Sequence, residues 1–390
     1  MLFQTLDNKR ECYAIYSNGE LYHYPNNLEM TETWDWSCHS PDSVDVAQVW
    51  CNGKTLNEAC PEELKNRLDR LQNKGRAFLR SFQTSKVSMG DVCFYDLVPK
   101  NFLLDYCDIK NEISKHVFSS YQKPKNYNFL IDLIKMIDDI SCHDLNFDHT
   151  RLSSMTAPEH KKALSCRSLK KVIYNPWGSV TGRLTTKSNS FPILTLPRTL
   201  RPGLTPNNDL FVELDYNSAE MRTAFALLGL QQPENDIHEH LRSEVFNNKI
   251  SRDDVKQKVF AWLYNPKANN KKLQKFLDKE SILDKYYKSG TVHTPFDRSI
   301  EVEEAKALNY LVQSTTSDLF LTQAIKIFNM LKESDSHIAF CIHDSLVLDI
   351  SRSDRQLVSE IMSVFSQTPY GHFKTNVSFG KDFGNMRKIK

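Results

Sequence analysis

Hydrophobic and polar residues alternate from Leu210 onward, and the alternation ends at an acid, Asp215. Such a period of two predicts a strand. Asn217 or Ser218 can then cap a helix that continues through Leu228. The segment therefore predicts a strand, a tight turn and a helix, with the Asp215 carboxylate at the end of a buried strand.

A second alternating pattern surrounds the tripeptide His343-Asp344-Ser345. Hydrophobic residues recur at every second position from Ile338 to Ile342 and again from Leu346 to Ile350, which predicts two strands joined by a tight turn. An acid between such apolar flanks is hard to explain as an ordinary solvent-exposed turn residue. Asp344 is therefore predicted to lie at the tip of a buried hairpin.

Helical periodicity covers much of the remaining chain. The predicted helices span residues 61–81, 101–116, 128–140, 251–264 and 303–331. Near the start, Asn18-Gly19 predicts a hairpin between residues 12–16 and 20–24, and residues 44–51 predict a further strand. These elements together predict an α+β fold with a small N-terminal β-rich unit.

The composition is that of an ordinary globular protein, with 40% hydrophobic and 25% charged residues in 390. The sequence has neither a long apolar run nor a start that resembles a secretion signal, so we expect no membrane insertion and a cytoplasmic location. The nine cysteines are scattered without a Cys-x-x-Cys pair. We therefore expect reduced, intracellular thiols.

Positive charge is concentrated in two blocks, although the net charge is only +2. Residues 151–201 carry ten Lys and Arg against Glu159 alone, and residues 241–290 carry twelve against six acids. Two separated basic blocks favour a bound polyanion, because phosphate binding depends on such charge. A solvated basic face is the alternative.

Two further stretches carry candidate chemistry. Loops such as Thr181-Gly182-Arg183 bring backbone close to a ligand while the guanidinium contacts phosphate or base. In the predicted helix 251–264 the residues Arg252, Lys256, Phe260 and Tyr264 recur every four positions, so one face carries two cations and then two rings. That face could hold a triphosphate and stack a base, although any amphipathic helix could show the pattern by chance.

Taken together and in this order, these stretches resemble the polymerase region of the A-family DNA polymerases, over about residues 166 to 390. The matching elements are Thr181-Gly-Arg183, Asp215-Tyr-Asn-Ser-Ala-Glu220, the series Arg252, Lys256, Phe260 and Tyr264, the pair Asn309 and Gln313, and His343-Asp344. The resemblance implies a right-hand polymerase fold, with an antiparallel-sheet palm and helical fingers and thumb. The implied domains are an N-terminal unit of unknown role (1–90), thumb (91–165), palm (166–232), fingers (233–308) and the rest of the palm (309–390).

The resemblance also implies roles for the matched residues. Asp215 and Asp344, with the Tyr216 carbonyl, would hold two Mg²⁺ ions, for which Mn²⁺ can substitute, in two-metal phosphoryl transfer. The other implied roles are triphosphate contacts from Arg252, Lys256 and His238, with Lys256 also as proton donor; base contacts from Phe260 and Tyr264; a sugar contact from Glu220; and primer or duplex contacts from Arg183, Gln313, Asn309 and His343.

Several positions depart from the family pattern. Ser345 stands where a third carboxylate is usual, Ala261 and Asn265 each replace a glycine, and Leu194-Thr195 replace Gln-Asn. The N-terminal stretch lacks the Asp-x-Glu strand of a proofreading exonuclease, so no such activity is expected. The short segment between Tyr264 and Asn309 implies compact fingers, and the resemblance is to a compact, phage-type member of the family.

The function expected from these residues is template-directed DNA synthesis, as a nucleotidyltransferase and a monomer, with primer-template DNA and dNTPs as partners. Other replication proteins are further expected partners. Two alternatives stay open: a primer-template binding subunit with a degraded active site, and a metal-dependent phosphohydrolase that uses His343-Asp344 with His238 and Asp236. The second requires its ligands on helices, whereas the flanks of Asp344 alternate as strands.

Overall fold

The computed structural model describes residues 1–25, 28–152, 156–265, 267–268 and 270–389, apart from the side chain of Ser165. The chain divides into two compact units, Met1–Cys142 and His143–Lys390. This division by packing does not test the functional segments that the sequence predicts, with boundaries at residues 90 and 165. The functional assignment of those segments as N-terminal unit, thumb, palm and fingers stays a prediction.

The first unit combines short strands with long helices. In chain order its elements are β1 (Phe3–Thr5), β2 (Ala14–Ser17), β3 (Glu20–His23), β4 (Glu32–Thr33), β5 (Asp45–Val46), α1 (Ala47–Trp50), α2 (Leu56–Ala59), α3 (Glu62–Thr84), α4 (Phe94–Leu97), α5 (Lys100–Ser120) and α6 (Tyr127–Cys142). The antiparallel sheet β1-β2-β3 contains the predicted Asn18-Gly19 hairpin. Helices α3 and α5 pack together around a core that includes Leu68, Phe102 and Ile113.

The predicted strand at residues 44–51 is wrong over most of its length. Only Asp45 and Val46 form a strand, and the chain then turns into the short helix α1. Ala47 and Val49 are fully buried there, and Trp50 donates a hydrogen bond from Nε1 to the Tyr121 carbonyl at 3.0 Å. A short apolar run fits a buried strand and a buried helical turn equally well, so tertiary packing decided the conformation.

The expectation of nine reduced cysteines is also corrected. Cys12 and Cys93 are joined by a disulfide, and the other seven cysteines are free. The two partners lie 81 residues apart in the sequence, so no local motif marks them as a pair.

The second unit contains a central sheet surrounded by helices. In chain order its elements are β6 (Asn146–Phe147), α7 (Ala157–Ser168), β7 (Tyr174–Asn175), β8 (Thr185–Thr186), β9 (Leu204–Thr205), β10 (Leu210–Tyr216), α8 (Ala219–Leu227), α9 (Ile237–Glu244), α10 (Arg252–Tyr264), α11 (Lys271–Phe276), α12 (Lys279–Tyr286), β11 (Tyr287–Lys288), β12 (Thr291–His293), β13 (Ser299–Glu301), α13 (Glu304–Leu331), β14 (His337–Ile342), β15 (Ser345–Ile350), α14 (Leu357–Ser366), β16 (Gln367–Thr368), β17 (Gly371–His372), β18 (Thr375–Gly380) and β19 (Arg387–Lys388). The strands, hairpin and helices predicted for this half of the chain are thereby confirmed.

The five strands of the central sheet run in the order β14-β15-β10-β18-β19, and every neighbouring pair is antiparallel. Strand β10 lies in the middle, with Asp215 opposite Ser345 on one side and Asn376 on the other. Because alternate residues of a strand face opposite sides, Glu213 and Asp215 share one face of the sheet. Leu214 and Tyr216 occupy the other face, where the Tyr216 ring stacks on Phe365 of α14.

Helix α13 is a long and largely buried helix of the second unit. It is 28 residues long, and many of its side chains are buried, including Leu311, Leu319 and Ile327. It packs against α8, α10, α12 and α14. Helices α8 to α12, the hairpins β11-β12-β13 and the first part of α13 share one hydrophobic core. None of the helices in the described ranges has the length and apolar character needed to cross a bilayer.

Candidate active site

Asp215 and Asp344 are held next to each other by adjacent strands. Asp215 is opposite Ser345, so the residue before Ser345, at the turn between β14 and β15, lies beside it. Burial raises the pKa of Asp215 to about 6, and the nearby Asp344 carboxylate contributes to the increase. Asn376 donates a hydrogen bond to Asp215 Oδ2 at 3.2 Å. Two neighbouring, buried carboxylates form a site that favours a cation.

The turn that carries Asp344 is tight. Ile342 pairs with Ser345, which leaves His343 and Asp344 as the two loop residues, and His343 has a φ of 55°. Non-glycine residues in this left-handed region are uncommon and cluster at functional sites. Burial raises the pKa of Asp344, while a backbone hydrogen bond and the charge of Arg183 oppose the increase.

Glu213 is a further carboxylate near Asp215 and Ser345. The Ser345 hydroxyl donates a hydrogen bond to Glu213 Oε1 at 2.9 Å. Glu213 also contributes to the raised pKa of Asp215, after burial and Asp344. The sequence interpretation noted Ser345 as a departure but missed Glu213, although its position two residues before Asp215 on a strand was a signal for a shared face.

Glu220 is bound by two groups that the sequence had assigned to different parts of the site. Arg183 donates from Nη2 to Glu220 Oε1 at 2.5 Å, and the Tyr264 hydroxyl donates to Oε2. Burial raises the pKa of Glu220, and Arg183 opposes this increase. Glu220 thus connects the start of α8, the end of α10 and the Thr181-Gly182-Arg183 loop, close to Asp344.

Ser218 occupies the N-cap position of α8, but the predicted side-chain cap is wrong. Its φ is 56°, and no side-chain hydrogen bond caps the helix. The Ser218 hydroxyl instead hydrogen-bonds with His238 Nε2 at 2.9 Å. The Asn217 amide donates to Asp236 at 3.0 Å and accepts from the Ile237 backbone at 3.2 Å. Both side chains therefore connect the β10–α8 turn to the start of α9.

Asp236 accepts hydrogen bonds from several groups around the start of α9. It caps α9 by accepting from the backbone of His238 and Glu239, and it accepts two hydrogen bonds from Arg252, from Nε at 3.1 Å and Nη2 at 2.6 Å. Burial would raise the pKa of Asp236, but the hydrogen bonds from Arg252 and Asn217 lower it below its ordinary value. The sequence interpretation had considered Asp236 only as a phosphohydrolase ligand.

His238 is buried next to this ion pair, with 2% of its surface exposed. Burial lowers its pKa, and the nearby Arg252 and Lys256 lower it further. The ring is therefore neutral at physiological pH. Across the described part of the chain no hydrogen-bond partner reaches its Nδ1 atom.

Helix α10 presents the predicted face of cations and rings. A capping box between Ser251 and Asp254 starts the helix. Phe260 and Tyr264 stack with ring centroids 5.7 Å apart and are 49% and 37% exposed, which is high for aromatic side chains. The Lys256 ammonium lies 6.0 Å from the Phe260 ring. The cations and rings therefore lie along one face of α10, as their spacing of four residues predicted.

The Thr181-Gly182-Arg183 loop is fixed by α13 and the β12–β13 turn. Thr181 donates a hydrogen bond to Gln313 Oε1 at 2.8 Å. Gly182 has a φ of 75°, and a Cβ there would lie only 2.5 Å from Arg298 Nη2. Only glycine therefore fits against that guanidinium.

Arg298 in turn forms two hydrogen bonds with Asp318, at 3.0 and 2.8 Å, and Asp318 is fully buried. The sequence interpretation missed this ion pair, although an acid among the apolar residues of helix 303–331 was a signal for a buried partner. Asn309 is half-buried one helical turn before Gln313 on α13.

The described residues include no group of three or more His, Cys, Asp or Glu side chains arranged to hold a metal ion. The main chain of Tyr216 belongs to β10 next to Asp215, while its hydroxyl donates to the Phe365 carbonyl at 2.7 Å. Two carboxylates are nevertheless a common protein contribution to Mg²⁺, which takes its other ligands from water and substrate phosphates.

Comparisons with known proteins identify the fold. No protein-family model matches the sequence, and no curated protein matches it. Among solved structures, the chain is similar to the POL domain of Pol1 from M. smegmatis in complex with DNA primer-template and dNTP. The TM-score is 0.52 with 12% sequence identity, over 73% of this chain and 75% of that one. The chain therefore shares its fold with a bacterial polymerase domain over about three quarters of its length, whereas the division into palm, fingers and thumb stays a prediction.

Proposed function

We propose that this protein is a template-directed DNA polymerase that adds dNTPs to a primer 3′ end. The observation that carries the proposal is the pair of adjacent carboxylates, Asp215 and Asp344, together with a helix face that carries two cations and two exposed rings. The fold shared with a polymerase domain supports it. Residues 166–232 and 309–390 would form the palm, 233–308 the fingers and 91–165 the thumb.

Asp215 and Asp344 would hold the Mg²⁺ ions, with the Tyr216 carbonyl as a further ligand. The raised pKa of both carboxyls fits this role, because burial disfavours their negative charge and a divalent cation would compensate it. When bound, such ions lower the pKa of an attacking hydroxyl and neutralise the charge on a leaving pyrophosphate. The substrate phosphates would supply the ligands that the protein lacks.

The triphosphate would bind to Lys256, Arg252 and His238. Lys256 has no hydrogen-bond or ion-pair partner within the described residues, so its charge is available to phosphate. Arg252 is held by Asp236 with its guanidinium fixed in place, which reduces the conformational freedom that binding would cost. His238 could donate a hydrogen bond through Nδ1, and Lys256 could protonate the leaving group.

The sugar, base and primer would contact the remaining residues. Glu220 would lie beside the sugar of the incoming nucleotide, and the stacked rings of Phe260 and Tyr264 would contact the base. The polar side chains assigned to the primer terminus and duplex are Arg183, Gln313, Asn309 and His343.

The phosphohydrolase alternative has less support than the polymerase. It would need Asp236 and His238 as ligands together with Asp344. Asp236 instead accepts hydrogen bonds from Arg252 and Asn217, and His238 Nε2 is engaged by Ser218.

Primer extension by the purified protein tests the proposal. A labelled primer annealed to a DNA template is incubated with Mg²⁺ and one dNTP at a time. We expect addition only of the nucleotide complementary to the template base. Release of phosphate without extension would favour the hydrolase, and binding of the primer-template without either reaction would favour the binding subunit.

A further inference from the structure

The central sheet has a groove on the face opposite the Asp215 carboxylate. Leu210 and Val212 of β10 form part of its floor, together with Phe379, which pairs with Val212. Alternate strand residues face opposite sides, so this floor lies behind Glu213 and Asp215. Helix α14 closes one side of the groove through Val358 and other residues. We call this cavity the α14 groove.

The size and surface of the α14 groove suit a ligand. Its volume is about 660 Å³, within the range of binding pockets in proteins. Two of its lining residues, Phe379 and Ile389, are among the large hydrophobic side chains that the protein leaves exposed, at 41% and 52%. Contiguous exposed apolar surface bordered by polar residues marks interaction sites.

Three exposed cations line the rim of the groove: Arg352, Arg355 and Lys381. Across the described ranges, no acidic side chain forms an ion pair with any of them. Of the lining residues that the structure describes, only Asp209 is acidic, and its carboxylate accepts a hydrogen bond from the Arg352 backbone at 2.7 Å. The rim is therefore positively charged above an apolar floor.

We propose that the α14 groove binds an acidic peptide segment of another protein, with apolar side chains in the groove and carboxylates on the rim. Charge complementarity selects an acidic partner, and the apolar floor requires hydrophobic anchors. Duplex nucleic acid would leave that floor without a matching surface, because it presents its phosphates and keeps its bases stacked inside. A bilayer is flat and cannot fill a concave groove.

The site is separate from the proposed polymerase chemistry, because it occupies the other face of the sheet. A partner bound there would leave Asp215 and Asp344 accessible to primer and nucleotide. The groove would thus recruit the protein to another without competing with its substrate.

Selection from displayed peptide libraries on the full chain tests the proposal. One library combines Asp and Glu with Leu, Ile and Phe, and a matched library replaces the acids by Lys and Arg. We expect binders only from the acidic library, and loss of binding when their apolar residues are replaced by Ser. Enrichment from the basic library, or no binders from either, would overturn the proposal.

Variants then locate the binding site. Fluorescence anisotropy with a selected peptide should show roughly tenfold or weaker affinity for the Arg355→Glu/Lys381→Glu variant, because each reversed charge repels the carboxylates. The matched control is Lys74→Glu, at an exposed lysine of α3 outside the groove and outside both basic blocks, and it should bind normally. Circular dichroism and primer-template affinity should match the parent in both variants.

Three outcomes would contradict the assignment. The first is unchanged peptide affinity in the groove variant. The second is loss of primer-template affinity in that variant, which would make the groove part of the DNA path. The third outcome concerns vesicles that contain phosphatidylserine. If the parent binds them and the groove variant does not, while both bind the peptide, the groove is a lipid site.

Discussion

Glu220 accepts hydrogen bonds from Arg183 and Tyr264, which places its carboxylate in a fixed position at the start of α8. A fixed side chain beside the sugar can exclude a 2′ hydroxyl by occupying its space and by leaving it without a partner. Burying an unpaired hydroxyl is worth a few kcal/mol, on the order of a hundredfold in selectivity.

We therefore predict that Glu220→Ala admits rNTPs while dNTP use falls only modestly. The measurement is kcat/KM for single rNTP and dNTP addition. Glu220→Gln is the matched control, because it keeps the size of the side chain and should keep most of the exclusion. If the parent already extends a primer equally well with rNTPs, the gate does not exist and the enzyme makes RNA.

A second prediction about a single residue concerns Asp215. It is a prediction about the free energy of unfolding, not about activity. Its pKa is raised to about 6 by burial and Asp344, so the folded protein holds this proton more tightly than the unfolded chain does. The stabilisation from that proton is complete below about pH 4 and is lost as the pH rises through about 6. At pH 8 the charged, part-buried carboxylate therefore destabilises the fold.

We predict that Asp215→Asn raises the free energy of unfolding at pH 8 by about 1 to 2 kcal/mol without divalent ions, and that the gain shrinks below pH 6. Urea denaturation at several pH values measures it, with the exposed Asp284→Asn as surface control. Mg²⁺ should stabilise the parent but not the variant. A variant less stable than the parent at pH 8 would show that Asp215 has a favourable partner instead.

The sequence identified single residues where a local pattern marks them. Asp215 ends an alternating strand and Asp344 interrupts an apolar hairpin, so both could be found without a structure. The roles of Glu213, Asp236 and Arg298 depend on partners far away in sequence, such as Ser345, Arg252 and Asp318. Such pairs are visible only once the chain is folded.

At the scale of elements, α10 is the clearest case of a helix with two roles. Its buried side, including Val255 and Val259, packs into the core, and its other face carries the cations and rings. Arg252 is already paired with Asp236, whereas Lys256 is exposed. Lys256 is thus the cation of this face whose charge would be available to pair with a substrate phosphate.

We predict that Lys256→Ala raises KM for dNTP and lowers kcat together, by roughly tenfold or more in kcat/KM, because one cation serves both binding and chemistry. Steady-state single-nucleotide addition measures both constants. Lys258→Ala is the matched control on the same helix and should change neither. Unchanged constants for Lys256→Ala would remove this face from the site.

Secondary structure was predictable where one periodicity dominates. The hairpin at 338–350, the strand at 210–216 and the long helices were all predicted. The predicted strand at residues 44–51 was wrong because a short, mainly apolar run shows neither strand nor helix periodicity. The missing side-chain cap of α8 has a different cause, since Asn217 and Ser218 found partners on α9.

At the scale of the whole molecule, the order of the motifs predicted the fold that the structural comparison shows, although no family model detects the sequence. The division of the chain near residue 142 was not predictable. Helices α3 and α5 carry similar amphipathic patterns on either side of residue 90, and only their mutual packing places them in one unit.

A prediction that concerns the whole chain is the absence of 3′ to 5′ exonuclease activity. The prediction rests on the sequence, in which residues 1–90 contain no Asp-x-Glu motif. Incubation of a mismatched primer-template with Mg²⁺ and without dNTPs should leave the primer intact. Trimming that persists in a purified Asp344→Asn variant would contradict the prediction, because it would require a second active site.

The most direct test of the central claim compares Asp215→Asn and Asp344→Asn with the parent in two assays. One is single-nucleotide addition with Mg²⁺ and the complementary dNTP, and the other is primer-template affinity by fluorescence anisotropy. The account predicts that both variants lose nucleotide addition and bind the primer-template nearly as tightly as the parent, because the metal ligands are lost and the phosphate contacts are not. Addition by either variant at more than a few per cent of the parent rate would contradict the assignment of these two carboxylates as the metal ligands.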